Sequence, residues 1–330
     1  MSRHLSWIAG LGLLLSACGG SKPARPALSQ EGANRTFKLV QEMNEATRRC
    51  EQQRSQVTIQ EEYTLGSAVA VNWVQQGGGL MLASEPGQRM HRTMNLIGQN
   101  LAAQSGRPTL EWTFGVLEEP NTVNAASAPG GYVFVTRALL RSVRSEAQLA
   151  GVLAHEISHV VLKHSLARYD DVKAEQCKVA ASMKFSLAMT RQVQKEVMPP
   201  ELGRMLDAMH GTGVLDLDKD PELLRRLTDP LVERLVQKGH AHEDEFAADA
   251  MALHLIASAG YDPQEYITFL GTLPEGGGFT HHPAHRERQE RLLALLEAAK
   301  SPQDGFSELP ASPRGLVKLS VPAEIAAATR

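Results

Sequence analysis

Residues 155–159 read His155-Glu156-Ile157-Ser158-His159, inside an apolar run that holds Val152, Leu153, Val160, Val161 and Leu162. No other feature of the chain constrains its fold as strongly. Four residues of α-helix turn through about 400° and rise about 6 Å, so both imidazoles leave one face, close enough to share an ion. The apolar neighbours predict that this helix is buried. Two buried histidines and a buried glutamate need partners, and one Zn2+ ion supplies them at once. Neutral imidazole suits zinc at about 2.0–2.1 Å, and Glu156 stands where it can reach a water on the metal. The competing reading, two solvated histidines on an amphipathic helix, conflicts with the apolar surroundings.

Such a site needs a third protein ligand and one open position. His164 lies five residues past His159, and Ser165 occupies the place where a metzincin carries its third histidine. His164 therefore reads as a packed or supporting residue. Glu245, in Glu245-Phe246-Ala247-Ala248-Asp249, is the better candidate. Glu245 and Asp249 are four apart and share a helix face, so one can bind the metal while the other accepts a hydrogen bond from a ligand imidazole. Glu243 and Asp244 nearby support the alternative of an acidic solvated face.

The chain has 330 residues, 34 basic against 37 acidic, and 5% aromatic. That balance gives no electrostatic reason to bind nucleic acid. Arg3 and His4 precede an apolar run over residues 5–15, too short for a bilayer, which takes about 20 apolar residues. It reads as a secretory signal. Leu15-Ser16-Ala17-Cys18 resembles a bacterial lipobox, which predicts a signal peptide over residues 1–17 and a lipid on Cys18. Gly19 after it points to the outer membrane. A plain signal peptide with a chance cysteine is the other reading. Residues 18–30 form a flexible tether by composition. In an oxidising compartment Cys50 and Cys177 either pair or remain two buried thiols.

Periodicity predicts an N-terminal helix over 31–63, a helix over 89–105 and a half-buried strand over 107–116. Residues 123–128 read as small and irregular, and Tyr132-Val133-Phe134-Val135-Thr136 as a strand. A short helix follows over 137–144. Ser145 and Gln148, at capping-box spacing, open the helix that carries the histidines. Residues 165–240 read as almost wholly helical. A further helix, over 242–259, stops at Gly260. Residues 286–300 form the last helix, and residues 301–330 a mobile tail.

Five segments resemble one known family in the order expected of it. They are Asn124-Ala125 leading to Pro129-Gly130-Gly131 and the strand after it; His155 to His159; Glu245 to Asp249; Ala259-Gly260-Tyr261-Asp262-Pro263; and His282-Pro283 with Arg288. Together they resemble the zinc endopeptidases that include the HtpX-like and CAAX-prenyl proteases, within the gluzincins. With the lipobox, the chain looks like the periplasmic BepA/LoiP-type branch. The family often has glycine at positions 138 and 158, where this chain has Ala138 and Ser158.

The resemblance implies a mostly α (α+β) zincin-like fold: an active-site helix, a small sheet with a substrate-edge strand, and a helical cover, spanning residues 31–300. It implies one Zn2+ held by His155, His159 and Glu245, with Glu156 as general base on the zinc-bound water. Asp249 and Arg288 support the ligands, and Arg288 pairs with a site carboxylate or else lies exposed. His282 lies near the metal as a catalytic group, or caps the last helix. The strand Tyr132, Val133, Phe134 and Val135 borders the cleft and offers an edge to extended substrates. The implied partners are protein or peptide substrates, a membrane reached through Cys18, and envelope assembly machinery, with no nucleic acid. The implied setting is the periplasmic face of the outer membrane. The alternative is a lipoprotein chaperone or assembly factor with a structural or capped zinc. A zinc esterase or amidase is the third reading, and a substrate-edge strand speaks against it.

Overall fold

The histidine-bearing helix, α5 (Glu146–Val161), is the axis of the molecule. Fourteen of its residues, Ala147 through Val160, are buried, so it is covered on every side, and its few polar side chains must find partners inside the protein. Ser145 caps its start by accepting from the Gln148 N–H at 3.2 Å. At its end Lys163 takes the left-handed conformation, φ 61°, and the chain turns directly into the next helix. The structure, a computed structural model, describes residues 30–52, 57–189, 198–211, 214–273 and 285–300. The signal peptide, Cys18, the tether up to residue 29, His282 and the tail 301–330 lie outside the described residues.

Around α5 the described chain is mostly helical. It runs α1 (Gln30–Gln52), α2 (Ile59–Gln76), α3 (Glu85–Ala103), β1 (Thr113–Leu117), β2 (Ala125–Ala128), β3 (Tyr132–Thr136) and α4 (Arg137–Ser142) before α5. After it come α6 (His164–Met189), α7 (Pro200–His210), α8 (Pro221–Lys238), α9 (His242–Ser258), α10 (Pro263–Leu270) and α11 (His285–Lys300). One apolar core joins α3, the sheet, α5, α9, α10 and α11. A second lies among α1, α2, α6, α7 and α8, where a disulfide joins Cys50 of α1 to Cys177 of α6. No described helix is long and apolar enough to cross a membrane.

Three local expectations are corrected. The expected helix over 31–63 is two helices, because Thr58 caps a new start by accepting from the Glu61 N–H at 3.1 Å. The expected strand over 107–116 is ordered as β1 only from Thr113. The irregular segment 123–128 contains a strand, β2. Alanine and serine have little intrinsic strand preference, and β2 exists through its pairing.

The sheet order is β1-β3-β2, with β1 parallel and β2 antiparallel to β3. This overturns the expectation that Tyr132, Val133, Phe134 and Val135 form a substrate-edge strand. Each of the four is paired on both sides, Tyr132 to Thr113 and Ala128, Val135 to Val116 and Ala125. The outer side of β1 is itself covered by residues 79–81, through Met81 N–H to Val116 O and Glu118 N–H to Gly79 O. The outer strand without a further strand partner among the described residues is therefore β2, which packs on α5 and is itself largely buried.

A partly buried ion pair sets the hairpin that joins β2 to β3. Glu62 of α2 accepts from the Gly130 N–H at 3.1 Å and from Arg107 at 2.8 and 2.7 Å. Arg107 also donates to Val160 O at the end of α5. Gly130 and Gly131, at φ 79° and 98°, take a conformation that costs other residues about 1 kcal/mol or more.

Candidate metal centre

The α-helical period places His155 and His159 on one face of α5, with their Nε2 atoms 3.1 Å apart. Helix α9 packs along α5 and brings in Glu245. Its Oε2 is 3.3 Å from His155 Nε2, and its Oε1 is 3.5 Å from His159 Nε2. All three side chains are buried. In the tight packing of α9, Ala248 and Ala252 are fully buried, whereas Ala247 is exposed.

The donor set fits a zinc ion. Ligands about 2.0–2.1 Å from a tetrahedral centre stand about 3.3–3.4 Å from one another, and the three measured separations are 3.1, 3.3 and 3.5 Å. Two imidazole nitrogens and a carboxylate are borderline-soft donors of the kind zinc takes. A cation, proton or metal, must lie among them, because two lone pairs and a carboxylate otherwise face one another in a buried site.

Each imidazole is fixed from behind. His155 Nδ1–H donates to Asp249 Oδ1 at 3.0 Å, which turns Nε2 toward Glu245. Arg288 of α11 holds Asp249 with two hydrogen bonds, 2.8 Å from Nε to Oδ2 and 2.7 Å from Nη2 to Oδ1. Tyr266 of α10 completes the cluster, its hydroxyl donating to Asp249 Oδ1 at 2.8 Å and accepting from Arg288 at 2.9 Å. Gly151, one turn before His155, permits this, since a Cβ there would stand 2.5 Å from that of Tyr266. His159 Nδ1 lies 2.8 Å from His164 Nδ1, a contact made by the left-handed turn at Lys163. His240 stacks on the His159 ring, centroids 4.1 Å apart. His159, His164 and His240 also approach closely enough to share a cation. That set lacks a carboxylate, and a metal on His159 Nε2 in the first set needs the His159 proton on Nδ1, where His164 Nδ1 stands to accept it.

Glu156 is buried beside these groups, and Ser127 of β2 donates to its Oε2 at 2.8 Å. Burial pushes the Glu156 carboxyl above the ordinary carboxylate range, while His155 and the Ser127 hydroxyl pull it back. Burial and the Arg288 charge pull His155 down; hydrogen bonds to Asp249 and Glu245 outweigh them, and it is pushed up to about 9. Burial, with His240 and His155 beside it, holds His159 well below the usual histidine value. Burial alone would raise Asp249, but Arg288 and His155 override it and hold the carboxyl far below its usual range.

The structure thus gathers His155, Glu156, His159, Glu245, Asp249 and Arg288. It does not bring β3 to an open edge, and the disulfide lies in the other core. Sequence reasoning missed Ser127, whose one signal was a polar residue amid alanines, and Tyr266, for which nothing local stood out.

The pattern described as Peptidase family M48 matches residues 88–296, more than half of the chain. The chain is 38% identical over 113 residues to the mitochondrial metalloendopeptidase OMA1 of Schizosaccharomyces pombe, covering 31% of this chain and 33% of that protein. It is 27% identical over 223 residues to the Arabidopsis thaliana protein of the same name, 65% of this chain and 38% of that one. It is 26% identical over 192 residues to the beta-barrel assembly-enhancing protease of Escherichia coli K12, covering 58% and 34% respectively. In each case the match spans 33–38% of the relative's length.

Proposed function

The chain belongs to peptidase family M48, and on that premise we propose that it is a zinc-dependent endopeptidase that cuts unfolded or misassembled proteins of a bacterial envelope. The observation that carries the reading is the convergence of His155, His159 and Glu245 with Glu156 alongside. A Zn2+ ion on those three side chains would supply a Lewis acid for the scissile carbonyl and an acidified water as nucleophile. Glu156 takes a proton at Oε1, since Oε2 accepts from Ser127, and returns it to the leaving nitrogen. Its raised carboxyl suits that exchange near neutral pH. Asp249 keeps the His155 ring in one tautomer, and Arg288 keeps Asp249 ionised. His282 is proposed as a further catalytic group on the family resemblance alone.

The envelope setting draws on the signal at residues 1–17 with Cys18 and on the name of the Escherichia coli relative. In this reading residues 31–300 form the peptidase body. A lipid on Cys18 and the tether hold it at the periplasmic face of the outer membrane, near envelope assembly machinery.

Glu156→Gln tests the chemistry. It keeps the ligand set, so zinc content by elemental analysis stays at wild type, while casein digestion falls by about 10²-fold or more, the usual share of a general base. Wild-type digestion by Glu156→Gln would overturn the reading.

A further inference from the structure

His155, His159 and Glu245 are 3%, 1% and 0% exposed, and a metal site buried this deeply needs a way in. A line of further donors leads outward from it. His159 stands between two groups: its Nε2 faces His155 and Glu245, and its Nδ1 lies 2.8 Å from His164 Nδ1. One nitrogen each from His159, His164 and His240 lies within 4.8 Å of the other two. Exposure rises along this line, from His164 at 8% to the half-buried His240. Beyond them the start of α9 is acidic: Glu243 is exposed, and Asp244 Oδ1 stands 3.9 Å from His164 Nε2. Arg168 offsets part of that charge, 3.7 Å from Asp244 Oδ2. Carboxylates at such a mouth raise the local concentration of cations.

The outer histidines suit passage better than residence. The His240 ring lies nearly flat on His159, with centroids 4.1 Å apart and planes at 19°. The lone pair of an imidazole nitrogen lies in the ring plane, so two stacked rings cannot aim theirs at one ion. His240 must swing off the stack to bind, and His159 needs its Nδ1 proton once Nε2 carries metal.

We propose that His240, with His164 beside it, is the entry ligand of the metal centre: it takes up a divalent cation at the surface and hands it across the face of His159 to the buried set. This rests on the reading that His155, His159 and Glu245 hold zinc. At each exchange the bond to the next donor forms as the bond to the last one breaks, and the proton displaced from His155 passes to bulk water. No bare charge crosses the apolar interior, where desolvation costs most. A donor on the path speeds entry and exit alike and leaves the equilibrium where it was.

The test strips the full chain of metal and follows, by stopped flow, zinc uptake from a zinc-loaded fluorescent chelator and zinc loss into excess EDTA. Wild type is compared with His240→Phe, which keeps a flat ring against His159 and has no nitrogen donor. Uptake and loss are expected to slow by the same factor, about tenfold or more for removal of a tethered donor. Kd stays within about twofold of wild type, since the change lies in rates alone, and both proteins hold one zinc per chain. An unchanged uptake rate overturns the proposal. So does a weakened Kd, which would make His240 a support of the site rather than an entrance to it. A second zinc retained by the wild type and lost by His240→Phe overturns it too, because the outer histidines would then be a resting site. If the wild type takes up no zinc at all, the metal reading itself fails, and the entry ligand with it.

Discussion

Asp249→Asn removes one charge and almost no volume, and the structure predicts two separate losses. Asp249 Oδ1 accepts from His155, Tyr266 and Arg288, and Oδ2 accepts from Arg288 Nε. Asparagine keeps one acceptor oxygen. If it takes the crowded Oδ1 position, its amide faces the Arg288 Nε–H, donor against donor. The guanidinium is 2% exposed and loses its counter-charge. Breaking a buried pair from one side costs about 3–5 kcal/mol. Glu245, whose field also reaches Arg288, leaves the lower end of that range, about 3 kcal/mol. This loss belongs to the metal-free protein, so urea unfolding in excess chelator reads it alone. The second loss is in zinc affinity, because the His155 ring gives up a charged acceptor; outer partners of this kind are worth about 10–100-fold. Chelator competition reads that loss separately. If unfolding in chelator is unchanged within about 1 kcal/mol and zinc affinity within threefold, the cluster does not position His155 and the argument fails.

Two further outcomes follow from the same coordinates. In the metal-free protein a proton on His155 competes with zinc, and that ring is pushed up to about 9. Zinc affinity should therefore rise about tenfold per pH unit up to about pH 9 and then level off, as followed by competition titration; a flat profile between pH 6 and 9 would refute it. The sign for folding is opposite. A raised histidine stabilises the metal-free fold fully below its unfolded value, about 6.5, and that contribution is lost as pH rises through about 9. Separately, the disulfide closes a span of 127 residues, worth about 4.9 kcal/mol on the chain-entropy relation. Cys50→Ser/Cys177→Ser should lower the urea midpoint accordingly, and coincident midpoints would count against it.

Local signals were the readable ones. Ser145, the apolar run behind it and the positive-φ turn at Gly260 mark α5 and the end of α9 with residues that act within one helical turn. The break between α1 and α2 was harder, because Glu, Gln and Arg continue across it; its signal was Thr58 three residues before Glu61. β3 read as a strand from its β-branched and aromatic residues, but such a run does not say how many neighbours a strand has. β2 did not read as a strand at all. Ala125-Ala126-Ser127-Ala128 has no preference of its own and is held by β3 on one side and α5 beneath.

The residues alone settled that two imidazoles share a face, because that follows from 3.6 residues per turn and holds in any helix. They also marked Glu245 and Asp249 as one face of another helix. Folding decided that Glu245 meets both rings, that Arg288 and Tyr266 brace Asp249, and that β2 rather than β3 is the outer strand. Those are contacts between segments far apart along the chain, and they are set by how α5, α9, α10, α11 and the sheet pack. Backbone periodicity reaches a few residues; shape complementarity among buried faces decides the rest.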